Sequence, residues 1–318
     1  MIIDKKAYCI FLLEYLEYAL DLFRFFIYVL CSVFEGDSLT KRIVSGLICI
    51  ALLVTVMFLS ATWGFSLNLA VAIVSCISIF EILCLKGESK RGIFFISSIL
   101  FSSARSLFGP GTKWKISLYL YAIFCLMIAM MRFVKNKKKT PSEQESVWNV
   151  CFVFFLNVVV SICLGTIVEI RNFGKSFGIF LSLLSLGIAW SCDMGAYFCG
   201  KFFGKNKMCP QVSPKKTIEG AIGGVVSSLI YSFTLCICSQ YLFKIQGINY
   251  FNVFLLSITG APVAILGDLC FSLIKRLLSI KDFGNIIPGH GGVLDRFDSV
   301  IFVSPFVLIF LHIFNIVG

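Results

Sequence analysis

Charge is scarce in this chain. Asp, Glu, Lys and Arg make up 14% of its 318 residues, where soluble domains carry roughly 25%, and so thin a supply excludes a water-soluble globular domain. Histidine is scarcer still: His290 and His312 are the two in the sequence, too few for an imidazole-rich metal centre. The fourteen cysteines contain no C-x-x-C, and Cys236-x-Cys238 is their one close pair. A structural zinc site is thereby excluded, and the cysteines read as small apolar packing residues in lipid or a reducing compartment. No linker long enough to separate domains interrupts the chain, and no internal repeat supports an inverted duplication of the transporter kind.

Apolar side chains are what the sequence has in abundance. They supply 58% of the residues, Phe alone 34 of them, and the mean hydropathy is +0.93. Such a chain is an all-α integral membrane protein, because a helix satisfies its own backbone hydrogen bonds in lipid. From Ile43 onward the apolar runs predict nine transmembrane helices, near 43–61, 64–85, 92–108, 116–134, 148–168, 176–199, 219–243, 251–273 and 299–317, each close to the roughly 20 residues a bilayer needs. Residues 1–38 form a separate N-terminal extension. Its apolar stretch from Tyr8 to Phe34 is broken by Glu14, Glu17, Asp21 and Arg24, which favours an amphipathic helix lying in the interface over an extra span. The same acidic residues argue against a cleaved signal peptide.

The net charge of +11 would suggest nucleic acid in a soluble protein. In a polytopic chain it reflects the accumulation of Lys and Arg in cytoplasmic loops, and no nucleic-acid partner is expected. Seventeen of the loop cations fall in the connections after the second, fourth, sixth and eighth spans, against five in the others. That bias puts the even connections in the cytoplasm. Asn136–Ser146 reads as an ordinary solvated loop, but two other cytoplasmic segments hold more than an orientation signal requires.

The first runs from Trp190 to Gly220. Asp193 lies in the last turns of an apolar span, where an isolated carboxylate is a functional candidate, with Ala196, Tyr197 and Gly200 on its face. Lys201, Lys205 and Ser213-Pro-Lys-Lys-Thr217 follow. Pro214 and Thr217 suit a turn and helix cap, and Glu219 suits a first helical turn, while Lys215 and Lys216 before a helix N-terminus suit a polyphosphate. The second segment begins at Asp268. Asp268, Ser272 and Lys275 share one helical face, and Lys281-Asp282-Phe-Gly284 through Gly291-Gly292 is too rich in glycine for helix. Asp295, Arg296 and Asp298 then open the last span. Asp193, Asp268, Asp295 and Asp298 are natural ligands for Mg²⁺, a hard cation that prefers oxygen. Lys275, Arg276, Lys281 and Arg296 can bind phosphate, and Gly291-Gly292 lets backbone approach a ligand. His290 reads as a phosphate hydrogen-bond donor or turn residue rather than a base. Glu81 and Glu169 read as helix-end residues.

Ser272 to Asp298 resembles the signature S-x-x-K-R-x4-K-D-x-G-x2-I-P-x-H-G-G-x2-D-R-x-D of the phosphatidate cytidylyltransferase (CDP-diacylglycerol synthase) family at every fixed position. Asp193 to Lys205 is similar to the family's D-x-x-A-Y-x-x-G-R-x-F-G-K, and Ser213 to Gly220 to its S-P-K-K-T-x-E-G. Lys201 departs from the usual Arg, which keeps the charge but gives up a bidentate grip. The resemblance covers residues 39–318, starting at Leu39-Thr-Lys-Arg42. It implies a membrane enzyme of phospholipid biosynthesis that joins CTP and phosphatidate into CDP-diacylglycerol and pyrophosphate. It implies Mg²⁺, a monovalent activator such as K⁺, a homodimer among membrane lipids, and a site facing the cytoplasm at a bacterial inner membrane. Asp268 and Asp295 are then the metal pair, with Lys275 and Arg296 beside the reacting phosphates. Lys205, Ser213, Lys215, Lys216, Arg276, Lys281, His290, Gly291 and Gly292 are left to hold the nucleotide. Two rivals stay open. A CTP-dependent polyprenol or dolichol kinase would release CDP and need a base for its alcohol. A transporter would carry its charges near mid-bilayer, not at one edge. The D-G-x2-A-R…G-x3-D pattern of CDP-alcohol phosphotransferases is absent.

Overall fold

A computed structural model describes residues 38–85, 96, 98–101, 106–107, 141–174, 177–287 and 291–317. The elements are α1 (Ser38–Thr62), α2 (Phe65–Leu85), α3 (Pro141–Phe173), α4 (Gly178–Phe203), β1 (Lys207–Cys209), β2 (Ser213–Thr217), α5 (Ile218–Phe243), α6 (Tyr250–Leu277) and α7 (Leu294–Ile313). All seven helices are long and apolar enough to cross a membrane, so the polytopic helical reading holds. Of the nine expected spans, 116–134 lies outside the described residues, and so does most of 92–108, where Ile96, Ser98–Phe101 and Ser106–Leu107 are helical. The interfacial helix expected within residues 1–38 lies outside them too.

Two compact units divide the chain, Met1–Thr55 with Asn285–Gly291 and Val56–Gly284 with Gly292–Gly318. Within the first, the Ile287 amide donates to the Gly291 carbonyl at 2.9 Å, and Gly291 has a φ of 86°, a value glycine adopts without a Cβ penalty. The second unit holds the last residues of α1, the elements from α2 to α7 and the cluster of charged side chains described below.

Helices in lipid gain little from apolar burial against one another, so close backbone approach and interhelical hydrogen bonds carry their association. The α4–α5 seam is built this way. A Cβ at Gly195 would strike Ser227, one at Gly223 would strike Cys199, and one at Gly224 would strike Cys192. The Tyr231 hydroxyl of α5 donates to the Leu183 carbonyl of α4 at 3.1 Å, and Ser257 of α6 donates to Ser232 of α5 at 2.7 Å. The cysteines among the described residues are all free; Cys192 and Cys236 are buried, as packing residues should be, while Cys49, Cys84, Cys151, Cys238 and Cys270 are exposed. Phe202, Phe203, Ile230 and Tyr241 point outward, as helix faces bathed in lipid do.

The helix ends differ from the expected spans in several places. α1 starts at Ser38 rather than 43, α3 runs from Pro141 to Phe173 rather than 148 to 168, and α4 ends at Phe203 rather than 199. The differences at α6 and α7 have a local cause. α6 runs past 273 to Leu277, which keeps Lys275 and Arg276 in its last turn, where cations complement the helix dipole. α7 begins five residues early, at Leu294, and stops at Ile313 because the chain beyond it pairs with the start of α6: Asn249 donates to Ile316, and Asn252 Nδ2 to Asn315 at 2.7 Å. Ser213–Thr217 is an antiparallel strand against Lys207–Cys209 rather than a turn. Thr217 does cap α5, its hydroxyl accepting from Gly220 N–H at 3.1 Å.

Candidate active site

The C-terminal ends of α2, α4 and α6 and the N-terminal ends of α5 and α7 meet at one end of the bundle, and the charged side chains collect there. Lys216, the penultimate residue of β2, places Nζ 2.6 Å from Asp268 Oδ2 of α6. One turn later on α6, Ser272 donates to Asp268 Oδ1 at 3.4 Å. Lys275 reaches across to α7, with Nζ 3.0 Å from Asp295 Oδ1 and 3.6 Å from Asp298 Oδ2. Asp193 of α4 joins from the other side: Ser299 Oγ donates to its Oδ2 at 2.7 Å, while Ser299 N–H donates to Asp298 Oδ1 at 2.8 Å. Asp193 also feels the charges of Asp268, Asp298 and Lys216 directly.

Asp295 is the most constrained of the four aspartates. It is buried in the first turn of α7, and its Oδ2 accepts from Phe283 N–H at 2.9 Å and Gly292 N–H at 3.0 Å while Oδ1 takes Lys275. Phe283 packs under the same lysine, its ring centroid 5.7 Å from Nζ, and sits edge-on to Phe271 of α6. A hydrophobic floor of this kind lowers the local dielectric and strengthens every ionic contact above it. Of the two lysines in the cluster, Lys216 is the less satisfied. Its ammonium is buried and paired with Asp268, yet it makes no aligned hydrogen bond, so it keeps hydrogen-bonding capacity that the protein does not use.

Asp193, Asp268, Asp295, Asp298, Lys216 and Lys275 therefore come together. Other expected site residues lie around this cluster, and their side chains do not join it. Lys205, Lys215, Arg276, Lys281 and Arg296 are exposed. Arg276 Nε donates to the Val212 carbonyl of the ribbon at 3.2 Å, tying α6 to the β1–β2 turn. The Lys205 backbone N–H is held by Glu219 at 3.1 Å, which with two bonds from Asn206 fixes the end of α4 against the start of α5. Arg296 offers its carbonyl to Trp190 Nε1 at 3.1 Å, and its side chain is exposed. Ser213 opens β2. Gly291 belongs to the other unit, and His290 lies outside the described residues.

Two readings from the sequence need correcting. Glu81 does lie one turn from the end of α2, but it is more than a helix-end residue: it is 2% exposed and its carboxylate accepts from the first amides of α7. Gly292 does make room for a close approach, but the approaching group is the Glu81 carboxylate, 2.7 Å from where a Cβ would stand. A carboxylate ending an apolar run was the signal for Glu81, and it is weak without a partner 212 residues away.

The chemistry of the cluster suits a hard cation. All its acidic donors are carboxylate oxygens, and four aspartates face two lysines, an excess of two negative charges when all are ionised. Among the described residues no three acidic side chains converge closely enough to hold an ion by themselves, because the lysines stand between them. An ion here needs oxygens from a bound substrate to complete its shell, as Mg²⁺ commonly does. A cavity of about 130 Å³ lined by residues that include Phe173, Leu181, Leu311, Phe314 and Asn315 lies at the opposite ends of α4 and α7 and contributes no titratable group.

Residues 40–314 match the model of the cytidylyltransferase family. The chain is 31% identical over 284 residues to the phosphatidate cytidylyltransferase of Bacillus subtilis, covering 87% of this chain and 99% of that protein. It is 30% identical over 288 residues to that of Haemophilus influenzae, covering 84% and 96%. A 133-residue stretch, 42% of this chain and 57% of the relative, is 45% identical to the phosphatidate cytidylyltransferase of Rickettsia bellii.

Proposed function

The chain belongs to the cytidylyltransferase family and is a nucleotidyltransferase of phosphatidate; we propose that it joins CTP to phosphatidate at the cluster around Asp268, Asp295 and Asp298. A phosphate oxygen of phosphatidate attacks the α-phosphorus of CTP in line. The new P–O bond forms as the bond to the β-phosphate oxygen breaks, and pyrophosphate leaves with that electron pair. The nucleophile is a phosphomonoester, already anionic near neutral pH, so the residues at the site need supply no general base. The difficulty is bringing two anions together, which calls for positioned cations rather than covalent help.

The buried Lys216 is the observation that carries this reading. An ammonium with one ionic partner and no aligned hydrogen bond is an incomplete site, and phosphate oxygens are the acceptors that would complete it. Lys275, already aligned with Asp295, holds that carboxylate in place and offers charge to the leaving pyrophosphate. The exposed Lys205, Lys215, Arg276, Lys281 and Arg296 add positive charge outside the cluster that would draw nucleotide in. Mg²⁺ would be held by Asp268 and Asp295, with Asp193 and Asp298 adjacent, and would supply charge neutralisation on the substrate phosphates. The monovalent activator, K⁺, the homodimer, and the placement in a bacterial inner membrane with this end toward the cytoplasm rest on the family resemblance and on the Lys and Arg bias of the loops.

Asp268→Asn tests the site. It keeps the side chain's shape and the Ser272 contact while removing the charge, so membranes carrying it should hold normal amounts of folded protein and lose CDP-diacylglycerol synthesis at least 100-fold. Undiminished synthesis by that variant would remove Asp268, and with it this cluster, from the reaction.

A further inference from the structure

α7 carries the aspartates Asp295 and Asp298, yet its N-terminus has no cap of its own. Val293 at the N-cap has helical dihedrals and no side chain able to accept a hydrogen bond. The first amides of a helix are orphans that need an acceptor. Glu81, about one turn from the end of α2, supplies one: Oε1 accepts from Val293 N–H and Oε2 from Leu294 N–H, both at 2.9 Å. The carboxylate is buried and sits on the positive end of the α7 dipole. The adjoining amide, Gly292 N–H, goes to Asp295 instead. Three successive amides are thus shared between two carboxylates, one from a distant helix and one from the site.

The same carboxylate explains two glycines. A Cβ on Gly284 would stand 2.5 Å from Glu81 Oε1, and one on Gly292 would stand 2.7 Å from Oε2 and 2.8 Å from Gly284 N. Gly284 and Gly292 bracket the seven residues Asn285–Gly291, so the two ends of that excursion close against each other over Glu81. Phe283, next to Gly284, donates the other amide to Asp295 Oδ2. Every backbone group that orients Asp295 is therefore within one residue of a group that touches Glu81.

We propose that Glu81 is a positioning residue for the transfer reaction, a remote cap that fixes the start of α7 and the Gly284–Gly292 closure so that Asp295 meets Lys275. This rests on the site reading given above. Glutamine cannot replace it, because its amide nitrogen is a donor and would face one of the two backbone N–H groups. Outer partners that orient a ligating or catalytic side chain typically cost 10–100-fold when removed.

The test compares wild type, Glu81→Gln and Gly284→Ala in detergent–lipid micelles, reading kcat, the KM for phosphatidate, and amide hydrogen exchange by mass spectrometry. For Glu81→Gln we expect kcat to fall about 10–100-fold with KM for phosphatidate within about twofold. Exchange should quicken in the peptide spanning 281–299 while peptides of α5 stay as protected as in wild type. Gly284→Ala keeps the carboxylate but places a methyl group against it, and should reproduce both changes; it also decides the matter if Glu81→Gln does not accumulate. Wild-type kcat or unchanged exchange at 281–299 in the accumulating variants overturns the proposal, as does exchange that quickens equally in α5. Failure of the wild type to make CDP-diacylglycerol would count against the site reading, whereas an active wild type with indifferent variants counts against Glu81 alone.

Discussion

Lys275→Met isolates the ionic contact at the centre of the cluster. The Lys275 side chain is 12% exposed and its ammonium lies 3.0 Å from Asp295 and 3.6 Å from Asp298, whose side chains are 2% and 8% exposed. Methionine has nearly the same length and packs against Phe283 as the lysine stem does, so the change removes charge with little loss of volume. Breaking a buried pair on one side costs about 3–5 kcal/mol, because the remaining charge is left uncompensated. Asp295 keeps two backbone donors and Asp298 keeps the Ser299 amide, which places the expected loss near the lower end, about 3 kcal/mol. At roughly 2–4 °C per kcal/mol for a large domain, the apparent Tm in detergent should fall by about 6–12 °C, and synthesis of CDP-diacylglycerol should be lost. Lys215→Met is the matched control: an exposed lysine two residues from the Thr217 cap, with an expected effect on stability within about 0.5 kcal/mol. A Lys275→Met protein as stable as the control would mean that the ammonium does not bridge α6 and α7, and the arrangement of the site would have to be abandoned.

Other consequences can be checked with the same preparations. Ser299→Ala removes the hydroxyl donor to Asp193 while leaving the backbone amide on Asp298, and should lower stability by about 1.5–3 kcal/mol, the range for a hydrogen bond to a charged group; an unchanged unfolding midpoint would show that Asp193 is not held this way. Chelation of divalent cations should abolish turnover and added Mg²⁺ should restore it, with activity that survives exhaustive chelation counting against a cation among the four aspartates.

Much of the architecture was legible because the physics of spanning is simple. Apolar runs near the length of a bilayer and a one-sided Lys and Arg bias mark the helices, and α2, α4 and α5 begin and end within a few residues of expectation. Asp193, Asp268, Asp295 and Asp298 could be named because carboxylates at the edge of apolar helices are costly and few. What could not be read was the pairing among them. The spacing of Asp268 and Lys275 puts both on one face of α6, yet the structure sends Lys216 to Asp268 and Lys275 to α7, since each lysine takes the carboxylate within reach of its stem. The cationic motif residues Arg276 and Lys281 look equivalent to Lys275 in sequence, but α6 turns Arg276 outward and Lys281 is exposed in the loop beyond it. Glu81 shows the deepest limit. A cap normally lies within a few residues of the amides it serves, and nothing local to α2 reveals that this one serves a helix 212 residues away.

The most direct test of the account is to follow the two ends of the nucleotide. Membranes containing the protein are given phosphatidate, Mg²⁺ and CTP labelled either at the α- or at the γ-phosphate, and lipid and aqueous products are separated. Nucleotidyl transfer predicts that the α-label enters the lipid as CDP-diacylglycerol and the γ-label appears in pyrophosphate. Label from the γ-phosphate in the lipid, with CDP released to the water, would contradict it.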